Sequence, residues 1–114
     1  ASVKDGILRI TSIGDACFLG FGASKHSGPS TATFRIKAKA GTSHFDWLAN
    51  GVEGKAQRAT FTLKGGDWEE VSVPLPADGP LGIVRLYLPM QEQPVEIDWI
   101  ELKSSGDKVT RTTF

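Results

Sequence analysis

Apolar and polar residues alternate one for one along several short runs of this chain. No run places apolar residues at i, i+3, i+4 and i+7 over three turns. A period of two belongs to a strand with one buried face, while an amphipathic helix needs a period of about 3.6. Thr31 to Lys39 is the cleanest case: Ala32, Phe34, Ile36 and Ala38 fall on one side, and Thr33, Arg35, Lys37 and Lys39 on the other. Such runs recur roughly every ten residues, with turn residues between them, which is the pattern of an all-β sandwich or barrel.

In order, the sequence predicts strands at Ile7 to Ile13, Phe18 to Gly22, Thr31 to Lys39, His44 to Leu48 and Arg58 to Leu63. Glycines 20 and 22 read as places where backbone packs closely. The next strand carries Trp68, Val71, Val73 and Leu75 and is ended by Pro74 and Pro76. Its spacing from Trp68 to Val71 breaks alternation, so a bulge or a late start is expected there. Gly82 to Leu88 follows, with Val84, Leu86 and Leu88 inward and Arg85 and Tyr87 outward. Pro94 then opens the stretch from Val95 to Leu102, the strand around which the others are expected to organise. Val95, Ile97 and Trp99 fall on one face; Glu96, Asp98, Ile100 and Leu102 fall on the other. Both faces hold large apolar groups, as suits a strand inside a sheet. The polar tail to Phe114 leaves room for a short last strand. The expected fold is a jelly-roll β-sandwich of two antiparallel sheets, with residues 1–114 as one domain excised from a larger enzyme.

A chain of 114 residues is long enough for its own core. Thirteen basic residues balance thirteen acidic ones, so bulk charge gives no case for nucleic acid or an anionic membrane. No apolar run approaches the roughly 20 residues of a membrane span. A lone cysteine, Cys17, rules out an intrachain disulfide and reads as a buried thiol. Two histidines and no Ser/His/Asp grouping offer little for nucleophilic catalysis. Glu69 and Glu70 are adjacent, so a strand sends them to opposite faces and they cannot straddle one bond. The chain is therefore expected not to be an enzyme.

Four stretches carry a family resemblance. They are Gly20-Phe21-Gly22, Trp68 to Pro76, Gly82 to Tyr87, and Val95 to Leu102. Together they resemble the C-terminal β-sandwich domains of bacterial secreted sulfatases. The W-x-x-V-x-V-x-L run followed by I-D-x-I-x-L also resembles carbohydrate-binding modules of the galactose-binding-like jelly-roll fold. The resemblance implies an ancillary, secreted domain, extracellular or periplasmic, that holds a catalytic partner on a polysaccharide, plausibly a sulfated one. The sulfatase nucleophile run, C/S-x-P/A-x-R, is absent: Cys17 is followed by Phe18-Leu19-Gly20-Phe21. The contrasting expectation is a purely structural domain that packs on a catalytic domain and touches no glycan.

Sugars are held by aromatic faces and by planar or charged hydrogen-bonding groups, with Arg able to clamp a sulfate. By parity Arg85 and Tyr87 share a face, as do Arg58 and Thr60, and His44 and Asp46. If their strands are neighbours they form one surface, and His44, Asp46, Arg58, Arg85 and Tyr87 are the candidate ligand-binding residues. Trp47 is a further candidate as a stacking platform, although its parity with Phe45 equally suits the core. Trp68 and Trp99 are expected in the core. Arg35, Lys37 and Lys39 form a basic stripe, read as a solvated face or a sulfate track. Lys25 and His26 lie in a loop that could join either surface. Asp98 is expected buried and hydrogen-bonded. A structural calcium there stays open as the alternative, but no D-x-D-x-D-like loop supplies further ligands. No other cofactor is expected.

Overall fold

The alternation closes into two antiparallel sheets. The computed structural model describes residues 2–11, 18–22, 26–48, 56–77, 79, 81–88, 94–104 and 108–114. Cys17 and Lys25 lie outside them. The strands are β1 (Ser2–Lys4), β2 (Ile7–Ile10), β3 (Phe18–Gly22), β4 (Ser30–Lys37) and β5 (Gly41–Leu48). They continue with β6 (Ala56–Leu63), β7 (Glu69–Leu75), β8 (Ile83–Tyr87), β9 (Val95–Ser104) and β10 (Lys108–Thr113). There is no helix among the described residues.

One sheet runs β1-β2-β9-β4-β7, with β10 also on β9; the other runs β3-β8-β5-β6. The pairs β2·β9, β3·β8, β4·β7 and β5·β6 are those of one long hairpin, folded at its tip between β5 and β6. Rolling that hairpin over itself adds β4·β9 and β5·β8 and makes the jelly roll. Local chemistry sets the corners. Asp5 (φ 53°) and Gly6 (φ 77°) both take left-handed conformations, the two-residue turn that matches strand twist between β1 and β2. Gly65 (φ 80°) leaves no room for a Cβ, which would run into the backbone of Ala40. The amides of Lys64 and Gly65 donate to the two carboxylate oxygens of Glu69, at 3.2 and 3.0 Å, so β7 starts late, at Glu69. Pro74 lies inside β7 rather than ending it. In this sheet β7 pairs only with β4, so the missing N–H falls on an edge.

The core fills the space between the inner faces. Leu8, Ile10, Ala32, Phe34, Ile36, Val73, Leu75, Val95 and Ile97 come from the large sheet. Phe45, Trp47, Phe61, Leu63, Val84 and Leu86 come from the small one. At its centre Phe34 sets its ring edge-on to Phe45 (centroids 5.7 Å) and Phe61 (5.4 Å), each contact bridging the two sheets. Such pairs add about 0.5–1.5 kcal/mol each beyond burial.

Strand β9 departs from the expected parity. Its register against β4 shifts: Arg35 faces Trp99, but Ile36 faces Ile97, so Asp98 is an extra residue. The bulge moves the inward set from Val95 and Ile97 to Ile100, Leu102 and Ser104. Trp99 therefore turns outward and is half-buried, not in the core, with the Arg111 guanidinium 4.2 Å from its ring centre. Trp68, before β7, is likewise half-buried beneath Arg35 at 4.5 Å. Asp98 is half-buried and accepts from Arg35 Nη1 at 3.0 Å.

Phe34→Ala removes both inter-sheet aromatic contacts and leaves a cavity in a fully buried site. The expected loss is about 3–5 kcal/mol, read as a lower midpoint in urea unfolding.

Candidate functional site

The register of the small sheet brings the separate polar pairs onto one outer surface. Arg85 lies opposite Asp46, and Asp46 opposite Arg58. One step along, Tyr87 lies opposite His44, and His44 opposite Thr60. Gly20 of β3 extends the first row. At about 4.8 Å between strands, the first row crosses the sheet in roughly 14 Å and the second spans about 10 Å. His44, Asp46, Arg58, Arg85 and Tyr87 thus form one face, made possible by the β5·β8 pairing that the rolled hairpin creates.

Trp47 leaves this face. It is 2% exposed, points into the core and donates its indole N–H to Gln57 Oε1 at 2.7 Å. It cannot offer a ring to solvent as a stacking platform, which corrects the expectation for it. His26 joins neither surface. It is buried, with Nδ1 2.8 Å from Ser104 Oγ and Nε2 2.8 Å from Thr110 Oγ1, tying its loop to the β9–β10 hairpin.

Within the face, Asp46 is the hub. Its Oδ1 accepts from Arg58 Nε at 3.0 Å and lies 3.7 Å from His44 Nε2. The Arg58 side chain is 61% exposed, so this ion pair contributes only about 0.2–1 kcal/mol; its effect is to fix geometry. The His44 ring stacks on Tyr87, with centroids 4.6 Å apart and planes 24° from parallel. Burial first, and the Arg58 guanidinium second, hold the His44 pKa below its ordinary 6.5, while Asp46 pulls it upward. The imidazole is therefore neutral at pH 7. Among the described residues of this face, two guanidiniums flank one carboxylate, an excess of one positive charge.

Beside this row lies a cavity of about 230 Å³ lined by Asp46, Trp47, Leu48, Ile83 and Arg85. Leu48 and Ile83 are absent from the sequence-based candidates. The signal for Ile83 was its parity, which puts an aliphatic side chain outward in step with Arg85 and Tyr87. Gly20 and Gly22 also read differently in space. A Cβ on Gly22 would meet nothing within 4 Å, and one on Gly20 only Arg85 Cγ at 3.9 Å. They do not serve close packing; they leave an open strip beside Arg85 and Ile83. A second cavity, about 460 Å³, lies over Pro29, Pro74 and Pro76, with Lys103 the one charged residue among the described residues of its lining.

The large sheet's outer face is different in charge. Arg9 pairs with Glu96 (3.5 Å), Arg35 with Asp98 (3.0 Å) and Arg111 with Glu101 (3.3 Å). Lys37 sits opposite Glu96 in the register. The basic stripe on β4 is thus interleaved with acids from β9. No group of three or more His, Cys, Asp or Glu among the described residues is placed to hold a metal ion.

The His44 environment makes a signed prediction. Because folding lowers its pKa, the folded state binds fewer protons than the unfolded chain below about pH 6.5. The stabilisation from neutral His44 is complete above that value. It is lost as pH falls from there through the folded midpoint. By NMR the His44 ring should titrate below 6.5. Arg58→Ala should move its midpoint up, and Asp46→Ala should move it further down.

No family model matches the chain and no curated protein matches it, so the work of this face has to be argued from its own residues.

Proposed function

We propose that the chain is a non-catalytic carbohydrate-binding module that holds a sulfated polysaccharide on the outer face of its small sheet. In this reading it is the ancillary domain of a secreted sulfatase-like enzyme, extracellular or periplasmic, with the catalytic domain as its partner. The observation that carries the proposal is the pair of cross-strand rows, Arg85-Asp46-Arg58 and Tyr87-His44, on one outer sheet face. The guanidinium row supplies planar donors for sulfate oxygens, with Asp46 positioning Arg58. The stacked Tyr87–His44 pair supplies a rigid aromatic wall for the apolar side of a pyranose ring. Two glycines keep the neighbouring strand clear, as suits a surface that a ligand must approach closely. The motif resemblance to sulfatase C-terminal domains and to galactose-binding-like modules supports the same assignment.

Affinity electrophoresis against sulfated and neutral polysaccharides tests it. The chain should be retarded by a sulfated glycan. Arg85→Ala or Tyr87→Ala should weaken retention by about tenfold or more, the effect of losing roughly 1.4 kcal/mol of binding. Thermal unfolding should show both variants still folding cooperatively, with Arg85→Ala within about 1 kcal/mol of the parent and Tyr87→Ala lower by about 0.5–1.5 kcal/mol for its lost stacking on His44. A chain that moves freely through every glycan gel is a structural accessory domain instead.

A further inference from the structure

We propose that the cavity beside Arg85 selects an anionic sugar unit carrying a methyl group. That methyl is either the C6 of a 6-deoxyhexose or the acetyl of an N-acetylhexosamine. The inference rests on the carbohydrate reading above and narrows its substrate class.

The lining is chemically divided. Arg85 and Asp46 form its polar side; Leu48 and Ile83 form the apolar side. A volume of about 230 Å³ is below the roughly 300–1,000 Å³ of sites for drug-sized ligands, and suits one sugar ring rather than an oligosaccharide. An unsubstituted hexose presents hydroxyls around its rim. Leu48 and Ile83 have no donor or acceptor with which to replace the water those hydroxyls would lose. A methyl has no such requirement, and Ile83, 66% exposed, has apolar surface to cover.

The spacing is also that of a single ring. Ile83 and Arg85 are two residues apart on β8 and face the same way, about 6.7 Å along the strand. A pyranose with a methyl at one end and a sulfate or carboxylate on the other side spans this distance. The cavity lies between β5 and β8, and β3 flanks β8 on its other side. The register places Gly20 beside Arg85 and Gly22 beside Ile83. Neither glycine has a positive φ, and neither would clash if it carried a side chain. The fold does not require glycine at these positions, and neither glycine is part of the cavity lining, which is Asp46, Trp47, Leu48, Ile83 and Arg85.

The test measures affinity of the full chain for three polymers of matched sulfate density. These are a sulfated fucan (6-deoxy), chondroitin sulfate (N-acetyl) and a sulfated galactan with neither methyl. At least one methyl-bearing polymer should bind about tenfold or more tightly than the galactan, the discrimination one methyl supports in an apolar pocket. Which of the two it is identifies the methyl. Ile83→Thr, which keeps a β-branched residue at an exposed strand position, should shrink that preference to within about threefold. Leu48→Thr, at the cavity's other aliphatic side chain, should shrink it in the same way. Equal affinity for all three polymers, or an undiminished preference in both Ile83→Thr and Leu48→Thr, overturns the methyl pocket while leaving the carbohydrate reading in place. No binding to any of the three sinks that reading itself.

Discussion

Phe34 is where the two sheets become one domain. It is fully buried on β4 and meets Phe45 and Phe61 of the opposite sheet edge-on. Everything on the outer surfaces follows from that contact, because period two allows no independent choice. Once Phe45 is committed to the core, Trp47 must follow it, and His44 and Asp46 must face water. Once Val84 and Leu86 are inward, Ile83, Arg85 and Tyr87 are outward. The candidate site is the complement of the core.

This dependence explains what was legible in the sequence. Strand positions and the facing of β4, β5 and β8 could be read directly, since each alternates without interruption. Strand β9 could not. Its apolar residues fall at 95, 97, 100 and 102, so they step by two, then three, then two. No straight strand puts all four on one side. The structure resolves the conflict with one extra residue, Asp98, whose carboxylate is taken up by Arg35. Apolar groups on both predicted faces were the visible trace of this bulge. Reading them as a strand covered on both sides misplaced Trp99. Trp68 was misplaced for a simpler reason: it precedes the strand to which its parity was referred.

The site was legible residue by residue but not as a surface. Parity shows that Arg85 and Tyr87 share a face. It does not show that β8 lies beside β5, because that neighbour relation arises only when the long hairpin rolls up. The row Arg85-Asp46-Arg58 joins the consecutive strands β5 and β6 to β8, much further along the chain. The glycines of β3 were visible as glycines, but the sequence could not distinguish close backbone packing from open space. Only the empty surroundings of a Cβ at position 22 separate the two.

Overall neutrality hides a division of charge between the two outer faces. On the large sheet Arg9, Arg35 and Arg111 each have a carboxylate from β9 within 3.5 Å. Two of those guanidiniums also cover tryptophan rings. An anion arriving there would have to displace acids already in place and would lose the stacking that holds both Trp68 and Trp99. On the small sheet one carboxylate stands between two guanidiniums, and the adjoining histidine is held neutral. Among the described residues that row holds no second carboxylate. Net neutrality thus coexists with an uneven distribution: the strand register gathers Glu96, Asp98 and Glu101 on the large sheet's outer face and leaves Asp46 as the acid of the small sheet's rows among the described residues.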